Sequence, residues 1–180
     1  MSPADRLIDA ATELFSRNGI RAVGIDRILA DAGVARASMY TIFGSKEALI
    51  AAYLERLDVQ DRRRWKNATD RIVDPGAKIL AFFDLAIDSA PGRGFRGCQY
   101  SNAATEFPDD PPPAVQAHRA WVLDTIENLL TSLGCPRPTE VAYSLRLIYD
   151  GALVGSKFEN SSEPIRLGRS LAQIAITQAC

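Results

Sequence analysis

The stretch from Ile20 to Leu49, IRAVGIDRILADAGVARASMYTIFGSKEAL, limits what this chain can become more than any other segment. Ile25, Ile28, Leu29 and Ala32 fall at i, i+3, i+4 and i+7, so the first part predicts a short helix with one apolar face. Gly33 stands where a helix stops most readily, because glycine takes left-handed backbone without a steric clash. After Val34 and Ala35 the pattern restarts. Met39 and Phe43, four apart, point inward and leave Arg36, Ala37, Ser38, Tyr40, Thr41 and Ile42 facing out. Gly44 and Ser45 break this second helix, Ser45 can cap a third, and Lys46 falls in its first turn. A short helix buried on one side, with small and hydrogen-bonding residues on the other, has the division that a base-reading helix needs.

Bulk charge points the other way. The formal net charge of 180 residues is −1. Yet Ile20–Lys46 carries Arg21, Arg27, Arg36 and Lys46 against Asp26 and Asp31. Any affinity for nucleic acid must therefore come from a small positioned surface rather than from the whole molecule. With 47% apolar and 24% charged residues the chain can bury a sizeable core. No apolar run is long enough to span a membrane, and the acidic, amphipathic N-terminus MSPADRLIDAA is no signal peptide. The expected location is the cytoplasm, where Cys98, Cys135 and Cys180 are expected to remain thiols.

The remaining segments predict helices throughout. Ser2, Pro3 and Asp5 form an N-terminal capping arrangement ahead of Leu7, Ile8, Ala11, Leu14 and Phe15. From Ser45 a long helix runs through Leu49, Ile50, Tyr53, Leu54 and Leu57 into a polar tract, where Arg62, Arg63 and Arg64 read as a solvated face. Asp74 and Pro75 open a mostly buried helix containing Ile79, Leu80, Phe82 and Phe83. A short helix follows over GCQYSNAATEF, then an extended PDDPPP connector, then a helix from about Ala114 to Leu133. Thr139 is placed to cap the next helix, which runs to Phe158. The last helix begins near Ser161–Pro164. It has large residues Leu167, Leu171 and Ile174 on one side and a small face of Gly168, Ala172, Ala175 and Ala179 on another. Gly151 and Gly155 clear a strip on the helix before it. Two buried faces need two partners, and a second copy of the chain is the simplest second one; the alternative is that both faces pack within one monomer.

Catalytic constellations are missing. His118 is the only histidine, which excludes histidine-based metal sites, and no nucleophile–base pair or phosphate-cradling glycine loop occurs. No enzyme activity, metal or cofactor is expected. A small-molecule pocket fits the residues better. Phe82, Phe83, Cys98, Tyr100, Asn102, Glu106, Trp121, Thr125 and Tyr149 lie on helices that must surround one another in a bundle, and aromatics with a few polar groups suit such a site. The same residues suit a plain core. Glu106 could attract a cationic ligand or could cap or pair locally.

GVARASMYTIFGSKEAL closely resembles the signature of the TetR family of bacterial transcriptional regulators, specifically from about Leu7 to Leu54. Two positions depart from it. Gly24 and Ala35 stand where the family commonly has capping threonine or serine. The resemblance implies an all-α homodimer, with residues 1–46 as a helix-turn-helix head and 47–180 as a ligand-binding and dimerising bundle. By position it implies base contacts for Arg36, Ser38, Thr41 and Ile42, with Ala37 on the same face, and phosphate contacts for Tyr40 and Lys46. It also implies a double-stranded DNA operator, a small-molecule inducer whose binding disfavours the DNA-binding spacing of the heads, and a dimer built from the last two helices, here with Gly151, Gly155, Gly168, Ala172, Ala175 and Ala179. The other reading is a helical small-molecule-binding protein that has lost DNA binding.

Overall fold

A computed structural model describes residues 1–180 and contains nine α-helices and no strand. They are α1 (Pro3–Asn18), α2 (Ile25–Ala32), α3 (Arg36–Phe43), α4 (Lys46–Thr69), α5 (Pro75–Ser89), α6 (Gln99–Glu106), α7 (Pro113–Ser132), α8 (Pro138–Glu159) and α9 (Glu163–Ala179). A single 3₁₀ turn, Pro91–Arg93, follows α5. The helix starts follow local chemistry. Ser2 Oγ accepts the Asp5 N–H while the Asp5 carboxylate accepts the Ser2 N–H, closing a capping box. Those Ser2 bonds hold the Asp5 carboxyl below its ordinary pKa. Ser45 Oγ accepts the Ala48 N–H at 3.1 Å, and Asp74 accepts those of Gly76 and Ala77. Thr139 does not cap α8. Pro138 already begins that helix, and the Thr139 hydroxyl instead donates to Glu127 Oε1.

The chain divides into two compact units, Met1–Val59 with Gln99–Gln116, and Gln60–Cys98 with Ala117–Cys180. This differs from the expected 46/47 boundary. Leu49, Ile50, Tyr53 and Leu54 of α4 are fully or almost fully buried with Leu7, Ala11, Leu14 and Phe15 of α1, so the start of α4 belongs to the head's own core. Phe15 meets Tyr53 edge to face at 5.3 Å, and the Tyr53 hydroxyl donates to the Gln99 side-chain oxygen of α6.

The second unit has its own core, with Ile79 and Phe83 from α5, Ile126 and Leu130 from α7, Leu145 from α8, and Ile165, Ala172 and Ile176 from α9. Within the single chain the small face of the last helices is the buried one and the large face the exposed one. Gly168 and Ala172 are buried within the chain: a Cβ on Gly168 would lie 2.7 Å from the Ala152 Cβ and 3.4 Å from the Phe83 ring. Gly155 faces Pro164 of α9 so closely that an added Cβ would come within 3.0 Å, and Ala175 and Ala179 pack against the same core. Small residues are what let α8 and α9 approach each other. Of the six proposed interface residues, Gly151 alone is exposed with open space beside it. The large residues point outward instead: Tyr143, Leu147, Val154 and Phe158 on α8, and Leu167, Leu171 and Ile174 on α9, are 46–83% exposed.

A further departure concerns the cysteines. The tertiary fold brings Cys135 and Cys180, 45 residues apart in sequence, to a Cα separation of 4.5 Å, and they form a disulfide; Cys98 takes no part in one. Sequence spacing carries no information about such an approach.

The two glycines predict opposite outcomes. Gly168→Val overpacks the α8–α9 contact and should lower stability by about 1–3 kcal/mol. Gly151→Ala meets no neighbour within the chain and should raise the stability of the single chain by about 1 kcal/mol through helix propensity. Urea denaturation reads both, and equal midpoints for the two variants would contradict the assignment of faces.

Candidate nucleic-acid interface

The outward face of α3 is assembled from below. Gly33 takes left-handed backbone at φ 61° and ends α2, while the next amide, Val34, donates to Leu29 O at 3.2 Å. Val34 and Met39 are buried and seat α3 on the head's core. Gly44, at φ 77°, closes α3 with its N–H on Tyr40 O. Arg36, Ala37, Tyr40, Thr41 and Ile42 face solvent and Ser38 is half-buried, which is one contiguous face. Tyr40 and Ile42 are 46% and 40% exposed, an unusual state for large side chains on so short a helix. Neither Gly24 nor Ala35 supplies a side-chain cap, so the first N–H groups of α2 and α3 are left available at the surface.

Two of the expected DNA-contacting cations have protein partners. The Arg36 guanidinium donates to the Asp26 carboxylate of α2, and Lys46 Nζ donates to Ile20 O at 3.3 Å. Both contacts are at or near the surface, where an ion pair contributes little and can be exchanged for a phosphate or a base. The Asp26–Arg36 pair was not anticipated from the sequence. Ten residues and a turn separate the two, and helix periodicity alone does not bring them together.

Glu106, considered for a ligand role, is engaged locally. At the end of α6 its carboxylate accepts the backbone N–H of Ile20 at 3.0 Å and of Arg21 at 2.6 Å. The Ile20 residue is thus held twice, its N–H by Glu106 and its C=O by Lys46. Next to it the Arg21 guanidinium lies 5.2 Å from the Phe107 ring centroid. A cavity of about 320 Å³ opens there, walled by Ile50, Phe107, Pro108 and Pro112 among others. Asn102 lines a crevice of about 10 Å³ beside Tyr53 and Gln99, too small for an organic ligand, and Tyr100 is buried in the same unit.

The other ligand candidates cluster in the second unit. Trp65 stacks on Phe82 at 5.3 Å, and Trp121 meets both rings edge-on at 6.1 and 5.6 Å. Tyr149 meets Phe83 at 5.0 Å and Phe82 at 6.5 Å. Burial pushes the Tyr149 hydroxyl well above the ordinary phenol pKa, so it stays a neutral donor. Cys98 packs against this core and Thr125 is half-buried on α7. Trp65 belongs to the cluster but was not singled out from sequence, because it lies in the polar half of α4. Arg62, read as part of a solvated run, lies 4.9 Å over the Trp121 ring and donates to Ala117 O. Arg63 and Arg64 are exposed, as that reading expected.

These features can be set against known proteins. Residues 7–53 match the family described as bacterial regulatory proteins, tetR family. A crystal structure of a TetR-family transcriptional regulator from Streptomyces coelicolor superposes with a TM-score of 0.91 at 33% identity, covering 99% of this chain and 97% of that one. The transcriptional regulator AcuR of Cereibacter sphaeroides is 28% identical over 171 residues, which is 88% of this chain and 78% of AcuR. An uncharacterized HTH-type transcriptional regulator of Mycobacterium tuberculosis is 35% identical over 77 residues, only 38% of its length.

Removing the Glu106 carboxylate should loosen the turn before α2. Glu106→Ala is expected to lower stability by about 1.5–3 kcal/mol, the usual range for hydrogen bonds to a charged group, and to speed amide exchange at Ile20 and Arg21. Unchanged exchange at those two amides would show that the carboxylate does not hold them.

Proposed function

The chain belongs to the TetR family of bacterial regulatory proteins, and on that premise we propose how its residues divide the work. It is a DNA-binding transcriptional regulator. The proposed activity is repression: a homodimer sits on a palindromic operator and is released by a small apolar or amphipathic ligand. One observation carries the DNA-binding part of this reading. The outward face of α3 keeps Tyr40 and Ile42 in water while Met39 beneath them is fully buried. Two large side chains exposed together on one short helix, beside hydrogen-bonding residues, make a surface that a partner can cover.

Within the head, Arg36, Ser38, Thr41 and Ile42 are assigned to base edges, Ile42 through apolar contact with a thymine methyl, and Tyr40 and Lys46 to phosphates. Arg36 must leave Asp26 to pair with a guanine, and Lys46 must leave Ile20 O. Dimerisation is assigned to the outward apolar face of α8 and α9, with Leu147, Leu167 and Leu171 flanking the groove above Gly151. The ligand is assigned to the aromatic cluster of Phe82, Phe83, Trp121 and Tyr149, with Cys98 and Thr125 nearby. The absent caps at Gly24 and Ala35 favour one other reading, a ligand-binding protein without DNA affinity. Selection of bound sequences from a random DNA pool separates the two, since only a regulator enriches a sequence. A two-fold dimer should enrich an inverted repeat with half-sites about 34 Å apart.

Salt-dependent binding separates reading from positioning. Arg36→Ala should cost about 1–3 kcal/mol on the preferred site and relax preference at one base pair per half-site. Lys46→Ala should weaken binding to every sequence and lower the magnitude of the log K against log salt slope by about 2 per dimer. Identical shifts in specificity and slope for both variants would refute this division. For assembly, Leu147→Glu combined with Leu171→Glu should give monomers in sedimentation with the fold intact, because both side chains are already in water in the single chain. A doubly substituted chain that still dimerises would place the interface elsewhere.

A further inference from the structure

Cys135 lies in the turn between α7 and α8, buried in the core and held by its N–H on Leu130 O at 3.1 Å. Cys180 follows α9, is exposed, and donates its N–H to Ile176 O. Between the two run α8 and α9, whose other ends meet at a turn through Asn160, where Ser156 Oγ donates to Ser161 O at 2.6 Å. The bond from Cys135 to Cys180 therefore converts the α8–α9 hairpin into a covalent ring. In reducing surroundings a disulfide is a transient, redox-responsive bond rather than a permanent one.

We propose that Cys135 and Cys180 are a reversible redox pair that closes the α8–α9 hairpin on oxidation by hydrogen peroxide and opens it on reduction by a thiol. The exposed Cys180 thiolate attacks the peroxide oxygen, the O–O bond breaks, and the departing hydroxide is protonated to water, leaving a sulfenic acid on Cys180. The Cys135 thiolate then attacks that sulfur, the S–O bond breaks, and the hydroxide released takes up the proton that the Cys135 thiol gave up and leaves as a second water. The two sulfurs together have given up two electrons and the peroxide has accepted them. Two equivalents of thiol reverse the step by exchange through a mixed disulfide. Cross-linking residues 45 apart restrains the unfolded chain, so the oxidised protein is the more stable form. The ring also holds α9 in register against α8, and with it the outward row of Leu167, Leu171 and Ile174. This regulation is independent of which operator or ligand the protein recognises.

The full chain is prepared with dithiothreitol or with one equivalent of hydrogen peroxide, alkylated under denaturing conditions and weighed. The reduced form should take a label at all three cysteines and the oxidised form at Cys98 only, and a glutathione buffer at cytosolic poise should restore three labels. The thermal midpoint should be higher in the oxidised form by roughly 5–10 °C. Cys180→Ser should abolish the midpoint shift and leave Cys135 open to labelling. The proposal fails if peroxide leaves three labels, if the bond resists the glutathione buffer, if it links two chains, if the cysteines pass to irreversible acids, or if Cys180→Ser keeps the shift.

Discussion

An eight-residue helix does not stand in water unaided, because nucleating its first turn costs more than its few hydrogen bonds return. That constraint governs the head. With no side-chain cap on α2 or α3, everything that keeps α3 helical comes from beneath it, through Met39 and Val34 in the core built by α1 and the first turns of α4. Core and recognition surface are therefore one object. The same logic explains why residues 47–59 belong with the head and why Glu106 of α6 reaches the Ile20–Arg21 turn. A surface made of short, uncapped helices keeps its shape only while the elements around it are fixed.

The second unit solves a packing problem with side-chain size. Two long helices, α8 and α9, lie close together because Gly168, Gly155 and Ala172 take little room between them. Close approach on the small side leaves the large side chains on the other. The exposed row from Tyr143 to Phe158, continued by Leu167, Leu171 and Ile174, is thus the counterpart of the buried glycines.

Periodicity made the helices and the head legible, since caps such as Ser2, Ser45 and Asp74, breaks such as Gly33 and Gly44, and spaced apolar residues are local signals. The outward set Arg36 to Ile42 was legible for the same reason. What sequence could not reveal depends on distance in space. Small residues on α9 mark a close contact, but composition does not say whether the neighbour is another helix of the same chain or of a second one. Phe82, Trp121 and Tyr149 do meet, whereas Tyr100, Asn102 and Glu106 belong to the other unit, because the short helix carrying them folds with the head. The Cys135–Cys180 bond joins residues that only the completed fold makes neighbours.

The pairing of Arg36 with Asp26 has a consequence for how such a protein spends its time in a cell full of DNA. A random stretch of duplex offers phosphates but no matching guanine, so each accidental landing competes with a carboxylate already at hand for the same guanidinium. The net charge of −1 adds no attraction from the rest of the molecule. On the proposed assignment of Arg36 to a base edge, irrelevant sequence would sequester fewer copies, because only a matching site offers a contact that offsets opening the pair.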